Sequence, residues 1–285
     1  MIKKIIYFFQ AFLIYFFFLL AKLIGLNFSR ILFSFIFKKL GPLIKSKKII
    51  NKNLENFSKS LTQNEKNEII SKMWSNYGMT FAEYIFLKKF RQTNKHIFIS
   101  GEKLLNEISK NNKPMIFISG HFANFELMSM EITKKDIPLA TIYRPLNNFF
   151  LNPFMEYLRK QYICKNQIEK GQKGVKKVVE YINEKKSIAL MIDQRVSEGE
   201  KINFFGKKAL TTTLPAQLAF KYNLEIVPVF IKRNKNNTFN IELFDPIRSK
   251  DFKNKTDLTV KLNQIIEAMI IKNPDQWIWT HNRWK

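Results

Sequence analysis

The chain has 285 residues, 46% of them hydrophobic, enough for one large core or for one core with a small appendage. Lys and Arg number 48 against 23 Asp and Glu, a formal net charge of +25. Such a surface favours polyanions (lipid headgroups, phosphorylated sugars, acidic carrier proteins or nucleic acid), although a composition rich in Lys, Asn, Ile and Phe together supplies part of the excess whatever the partner. Cys164 is the only cysteine, which excludes an intrachain disulfide and a cysteine-based zinc site.

Ile5 to Ala21 is almost wholly apolar, with Gln10 its one strongly polar side chain. At about 1.5 Å per residue the run falls slightly short of a hydrocarbon core of about 30 Å, and Lys3, Lys4 and Lys22 bracket it as snorkelling cations. No small-x-small cleavage site follows, so residues 1–25 are read as a retained transmembrane or membrane-anchor helix rather than a signal peptide. Leu26 to Phe37 is apolar but carries Arg30; it is either an interfacial helix or a buried helix of the next domain. Cations are denser after the apolar run than before it, which predicts a domain on the cytoplasmic side.

Residues 26–285 are read as that domain, with a helical part to about residue 94 and an α/β part from about 95. Thr62 with Glu65 three residues on has the form of a capping box, and Ile69, Ile70, Met73 and Trp74 recur at helical spacing behind it. Trp74 and Tyr77 are expected in the core. Strands are expected near 96–99, 114–119, 138–143, 187–192, 225–232 and 238–243. Helices are expected near 102–110, 123–134, 148–161, 172–184, 212–222 and 256–271. This alternation predicts a mixed, largely parallel sheet flanked by helices, closed by an antiparallel hairpin across Asn234–Asn237.

The chemistry concentrates after the second strand. Ile116-Phe117-Ile118-Ser119-Gly120-His121-Phe122-Ala123-Asn124-Phe125-Glu126 reads as strand, glycine turn and helix start. His121 suits a general base, because imidazole titrates near neutrality. Glu126 is expected to hold its second ring nitrogen, which requires His121 to lie in the turn and Glu126 in the first turns of the helix. H-x-x-x-x-E alone is a weak pattern. Asp193, at the end of an apolar strand, either organises an arginine (Arg144 or Arg195) or caps a loop. Cys164 has no histidine near it in sequence and is not read as a nucleophile. His96 and His281 stand apart from other ligand types, so no metal site is expected. The aromatic run from Trp277 to Trp284 is either a membrane-interface belt or a tail packed on the core.

The block from Ile116 to Glu126 resembles the first motif of the lipid A late acyltransferases, an apolar strand running into G-H-x-G-N-W-E. Ala123 and Phe125 stand where that family often has Gly and Trp. Further blocks follow in the family's order: Ile142-Tyr143-Arg144-Pro145, Lys170-Gly171-Gln172-Lys173-Gly174, Met191-Ile192-Asp193-Gln194-Arg195, Asn203-Phe204-Phe205-Gly206-Lys207, Thr211-Thr212-Thr213-Leu214-Pro215-Ala216 and Glu225-Ile226-Val227-Pro228-Val229. The resemblance covers roughly residue 15 onward.

What the resemblance implies is an O-acyltransferase at the bacterial inner membrane, facing the cytoplasm. It would move a fatty acyl chain from acyl carrier protein (or acyl-CoA) to the hydroxyl of a 3-hydroxyacyl chain on a Kdo-bearing lipid A precursor. No metal or organic cofactor and no nucleic acid is implied. Carried over by position, His121, Glu126 and Arg144 are the catalytic set; Asp193, Arg195 and Asn124 support or bind substrate. Two other readings stand beside it. One is a glycerophospholipid or lyso-lipid acyltransferase, disfavoured by Glu rather than Asp at 126. The other is a non-catalytic, membrane-tethered binder of anionic lipid.

Overall fold

A computed structural model describes residues 2–285; Met1, the first residue of the expected anchor, lies outside the described residues. Helix α1 (Ile2–Ile44) does not stop at residue 25 but bends there, where Gly25 adopts φ 80° and ψ 168°. Helices α2 (Lys47–Phe57), α3 (Gln63–Glu83) and α4 (Leu87–Gln92) complete the helical part. The Thr62–Glu65 capping box is formed, with both reciprocal bonds present. Strands β1 (Ile97–Ser100), β2 (Ile116–Ser119), β3 (Leu139–Tyr143), β4 (Asn166–Glu169), β5 (Ser187–Met191), β6 (Glu200–Phe204), β7 (Lys207–Thr211), β8 (Ile226–Arg233) and β9 (Phe239–Leu243) follow. Between and after them lie α5 (Glu102–Asn111), α6 (Glu126–Lys134), α7 (Asn152–Tyr162), α8 (Gln172–Asn183), α9 (Leu214–Tyr222) and α10 (Lys255–Lys272).

Seven strands form one sheet in the order β1-β9-β8-β2-β5-β3-β4, parallel throughout except for the β8–β9 hairpin. The central strand β2 is buried along its whole length, as a parallel strand covered on both faces must be. Because β2, β5, β3 and β4 run the same way, their carboxyl ends share one edge. His121, Asp193, Arg144 and Lys170 all leave the sheet there, at the usual place for a site in such a fold.

Three strands escape the sequence pattern for identifiable reasons. The edge strand β4 is short and polar, with only Ile168 buried. The β6–β7 hairpin stands apart from the main sheet and turns through Phe205-Gly206, both at positive φ (49° and 71°). Two such residues are what a type I′ turn demands, but Phe-Gly is not the usual signal for it.

The second half of α1 belongs to the domain. Ser29, Arg30 and Phe33 are buried, while Phe28, Ile31 and Phe35 of the same stretch are exposed. Helix α3 crosses α1 so closely that a Cβ at Gly78 would lie 2.0 Å from the Phe33 carbonyl oxygen. At the crossing Arg30 donates from Nε to Glu83 at 2.7 Å. Arg233 from the end of β8 reaches the same carboxylate with both terminal nitrogens, the outer contact at 3.0 Å. Asn124 adds a third donor at 2.9 Å. Burial alone would raise the pKa of Glu83, but the two guanidiniums outweigh it and hold the carboxyl below its ordinary range. The Asn124 contact fastens the turn between β2 and α6. That turn passes through Ala123 at φ 45°, in the left-handed region where a Cβ is strained, and its carbonyl accepts from Thr80 Oγ1 at 3.1 Å. This is the position at which the resembled family often has glycine.

Two outcomes are expected. Glu83→Gln leaves two buried guanidiniums against a neutral amide and lowers stability by about 3–5 kcal/mol. Ala123→Gly relieves a strained φ and raises stability by up to about 1 kcal/mol. Thermal unfolding of the detergent-solubilised protein measures both.

Candidate active site

β2 carries Gly120 and His121 to its carboxyl end, and the neighbouring β5 carries Asp193 to the same level. His121 Nδ1 lies 2.8 Å from Asp193 Oδ1, and the His121 backbone N–H donates to Oδ2 at 2.9 Å. The indole N–H of Trp277 donates to Oδ2 at 2.8 Å. Burial would raise the Asp193 carboxyl, but the His121 imidazole and these hydrogen bonds more than offset it and keep the group below its usual value. An ionised carboxylate can only accept, so Nδ1 is the ring nitrogen that carries its hydrogen toward Asp193. Nε2 has no partner among the described residues and is not fully buried. Gly120 makes the approach possible: a Cβ there would stand 3.3 Å from the Asp193 carboxyl carbon and 2.7 Å from the Phe122 ring.

The expected pairing of His121 with Glu126 is not what the structure holds. Glu126 is the first residue of α6, and its carboxylate turns toward α7 instead. There it accepts from Arg159 Nε at 2.8 Å and from the Tyr84 hydroxyl, while Arg159 also donates to Tyr84 at 3.2 Å. Burial would lower the Arg159 pKa, yet the Glu126 carboxylate overrides it, and the guanidinium stays charged. Arg159 was not expected from the sequence. It sits on a helix 33 residues away from Glu126 with no local motif around it.

Arg144 is also displaced from its expected place. It follows β3, two strand spacings (about 10 Å) from the strand of His121. It is exposed and makes no ion pair or side-chain hydrogen bond among the described residues. Asp193 organises neither Arg144 nor Arg195; Arg195 instead bonds Ser197 Oγ and the Lys285 carbonyl, each at 3.2 Å. Asn124 is buried in the Glu83 network and supports the turn rather than facing substrate.

The aromatic run after Trp277 packs into the core. Trp277 and Trp279 are buried, and Phe122 bridges to Trp277. Arg283 is fully buried, donating to the Leu210 carbonyl at 2.8 Å and to Thr211 Oγ1 at 2.7 Å. Cys164 lies away from the site, on the connection from α7 to β4; burial pushes its thiol up to about 11, where it is no nucleophile near neutrality. Among the described residues, no three His, Cys, Asp or Glu side chains gather so as to hold a metal ion.

His281 lies close enough to feel both Asp193 and His121, and burial pushes its pKa down from 6.5 to about 4. An unfolded chain takes up this proton below about 6.5 while the folded one resists until about 4. Stability is therefore lost as pH falls through that window. His281→Asn is expected to flatten the drop in melting temperature between pH 6.5 and 4.5; an unchanged slope would show that other groups cause it.

Comparison with known proteins places the chain in a family. The family model described as bacterial lipid A biosynthesis acyltransferase matches residues 2–285. The chain is 22% identical to a lipid A biosynthesis acyltransferase of Haemophilus influenzae over 261 residues, covering 89% of this chain and 82% of the relative. It is 20% identical to a lipid A biosynthesis lauroyltransferase of Escherichia coli, over 84% of this chain and 78% of that one. Among solved structures, a 1-acyl-sn-glycerophosphate acyltransferase from Thermotoga maritima matches with a TM-score of 0.42 and 11% identity, covering 89% of this chain and all of that one. With a match that spans every described residue, the chain belongs to the bacterial lipid A biosynthesis acyltransferases.

Proposed function

We propose that this acyltransferase moves a fatty acyl chain from acyl carrier protein to the hydroxyl of a 3-hydroxyacyl chain on a Kdo-bearing lipid A precursor, at the cytoplasmic face of the inner membrane. The observation that carries the chemistry is the His121–Asp193 pair, which holds Nδ1 and leaves Nε2 accessible. In this reading Nε2 takes the proton of the acceptor hydroxyl as its oxygen attacks the thioester carbonyl. Asp193 orients the ring and stabilises the imidazolium that forms. The tetrahedral oxyanion collapses, the C–S bond breaks, and the departing thiolate takes the proton back from His121. No acyl-enzyme, metal or organic cofactor enters the scheme.

Glu126 has a different part in this reading: it holds Arg159 and Tyr84 beside the site, so that a fixed cation faces the phosphorylated acceptor or the developing oxyanion. The family relationship and the basic surface support a phosphorylated acceptor and an acidic carrier; chain length and acylated position follow from neither.

The test uses detergent-solubilised enzyme, a Kdo-bearing precursor and a panel of acyl carriers, read by mass spectrometry. A gain of one acyl chain is expected, lost in His121→Ala. Acylation of a lyso-phospholipid instead would overturn the acceptor. Asp193→Asn is expected to lower kcat by about 10²–10⁴-fold and to displace the acid limb of its pH profile. Glu126→Gln should lower activity without moving that limb; a shift of equal size in both variants would return Glu126 to the role of partner to His121.

A further inference from the structure

The first arm of α1 is apolar and exposed, with Phe8, Phe9, Phe12, Phe16 and Leu19 on the surface, and it is long and apolar enough to cross a membrane. Yet it does not stand clear of the domain. The loop before α7 docks along it. Asn148 Nδ2 donates to the Tyr7 carbonyl and the Tyr15 hydroxyl to the Phe150 carbonyl, both at 2.8 Å. The rings of Phe149 and Phe150 pack on Tyr7 and Phe8 at 6.0 and 5.7 Å. These contacts begin near the start of the helix, so the loop lies alongside the apolar run between Tyr7 and Tyr15.

The loop is itself built for an apolar medium. Leu146, Phe149 and Phe150 remain exposed although they are large and apolar, and Tyr157 of α7 continues the patch. Part of its backbone is bonded from within. Asn148 Oδ1 accepts from the N–H groups of Phe150 and Leu151, the Asn148 carbonyl from Leu151 and Asn152, and Asn152 Oδ1 from Leu146. An irregular segment with exposed aromatic side chains and backbone groups left for water fits the bilayer interface rather than the hydrocarbon core, where every N–H and C=O must be met by protein.

We propose that Leu146–Phe150 seats its apolar side chains in the lipid bilayer interface beside the first arm of α1, the two forming one lipid-facing surface. The inference rests on membrane association of α1, not on the identity of the acceptor. Continuity with that helix is what selects lipid as the occupant. Arg144, exposed and unpaired two residues before Leu146, then lies at the depth of the headgroup phosphates, where a cation is favoured. Arg159 is two turns of α7 beyond the loop, about 10 Å, so insertion holds the Glu126–Arg159 pair close under the interface. An acceptor whose acyl chains stay in the bilayer could then present its hydroxyl to His121 without leaving it.

The experiment places single tryptophan reporters, Phe149→Trp and, on the helix, Phe12→Trp, in the full-length protein reconstituted with vesicles of brominated phosphatidylcholine. Quenching of the added emission in both, against the wild-type background, is the expected result. Quenching at Phe12→Trp alone overturns the proposal while leaving the anchor intact; quenching at neither overturns the proposal together with membrane association. A second variant, Phe149→Asp with Phe150→Asp, is expected to lose roughly tenfold or more of its rate on acceptor embedded in vesicles and to keep its rate on acceptor dispersed in detergent. Equal rates in both media, or a concentration-dependent dimer in detergent that the double variant abolishes, would assign the patch to something other than lipid.

Discussion

One buried carboxylate holds the architecture together. Glu83 receives Arg30 from the membrane-proximal helix, Arg233 from the sheet and Asn124 from the turn that carries His121. Each ion alone in this place would cost several kcal/mol of desolvation, so the cluster exists only as a whole. Two cations to one anion leave an excess of positive charge, and it is spread over rings: Arg30 lies 5.8 Å from the Phe90 centroid and Arg233 4.6 Å from that of Phe239. The anchor, the sheet and the catalytic turn therefore share one electrostatic joint. Movement of α1 relative to the sheet is opposed by the same bonds that fix the turn.

Around the site two carboxylates have been given different work by their surroundings. Asp193 is enclosed by three donors from the histidine and a tryptophan, and it faces the base. Glu126 is bonded instead by an arginine and a tyrosine. The first arrangement sets the tautomer of an imidazole; the second sets the position of a permanent cation. A local H-x-x-x-x-E spacing thus joins two residues whose hydrogen-bond partners are different.

Much of this was legible in the residues. The apolar runs of β2, β3, β5 and β8 announce buried parallel strands, and the glycine turn after β2 announces the site. Thr62 and Glu65 announce a helix start that the structure bears out. The strands that were missed have polar faces or lie at an edge, where hydrophobic period carries little information. The partner of His121 was not legible as a partner because 72 residues separate it from Asp193, and only the parallel pairing of β2 with β5 makes them neighbours. Arg144 stands in a recognisable block, whereas Arg159 lies in a helix with no local motif, and its contact with Glu126 comes only from the packing of α7 beside α6. The burial of Arg30 likewise depends on Glu83, which no local pattern links to it.

The reach of Trp277 back to Asp193 has a consequence for biosynthesis. On the ribosome α1 emerges while Glu83, Asp193 and Trp277 have yet to be translated. His121 acquires its carboxylate only when β5 has been made and paired, and that carboxylate acquires its indole donor 84 residues later still. The hydrogen-bonded cluster around Asp193 is therefore among the last features of the fold to be completed. A polypeptide released before residue 277 would lack the indole N–H that Asp193 accepts, leaving the carboxylate beside His121 one donor short.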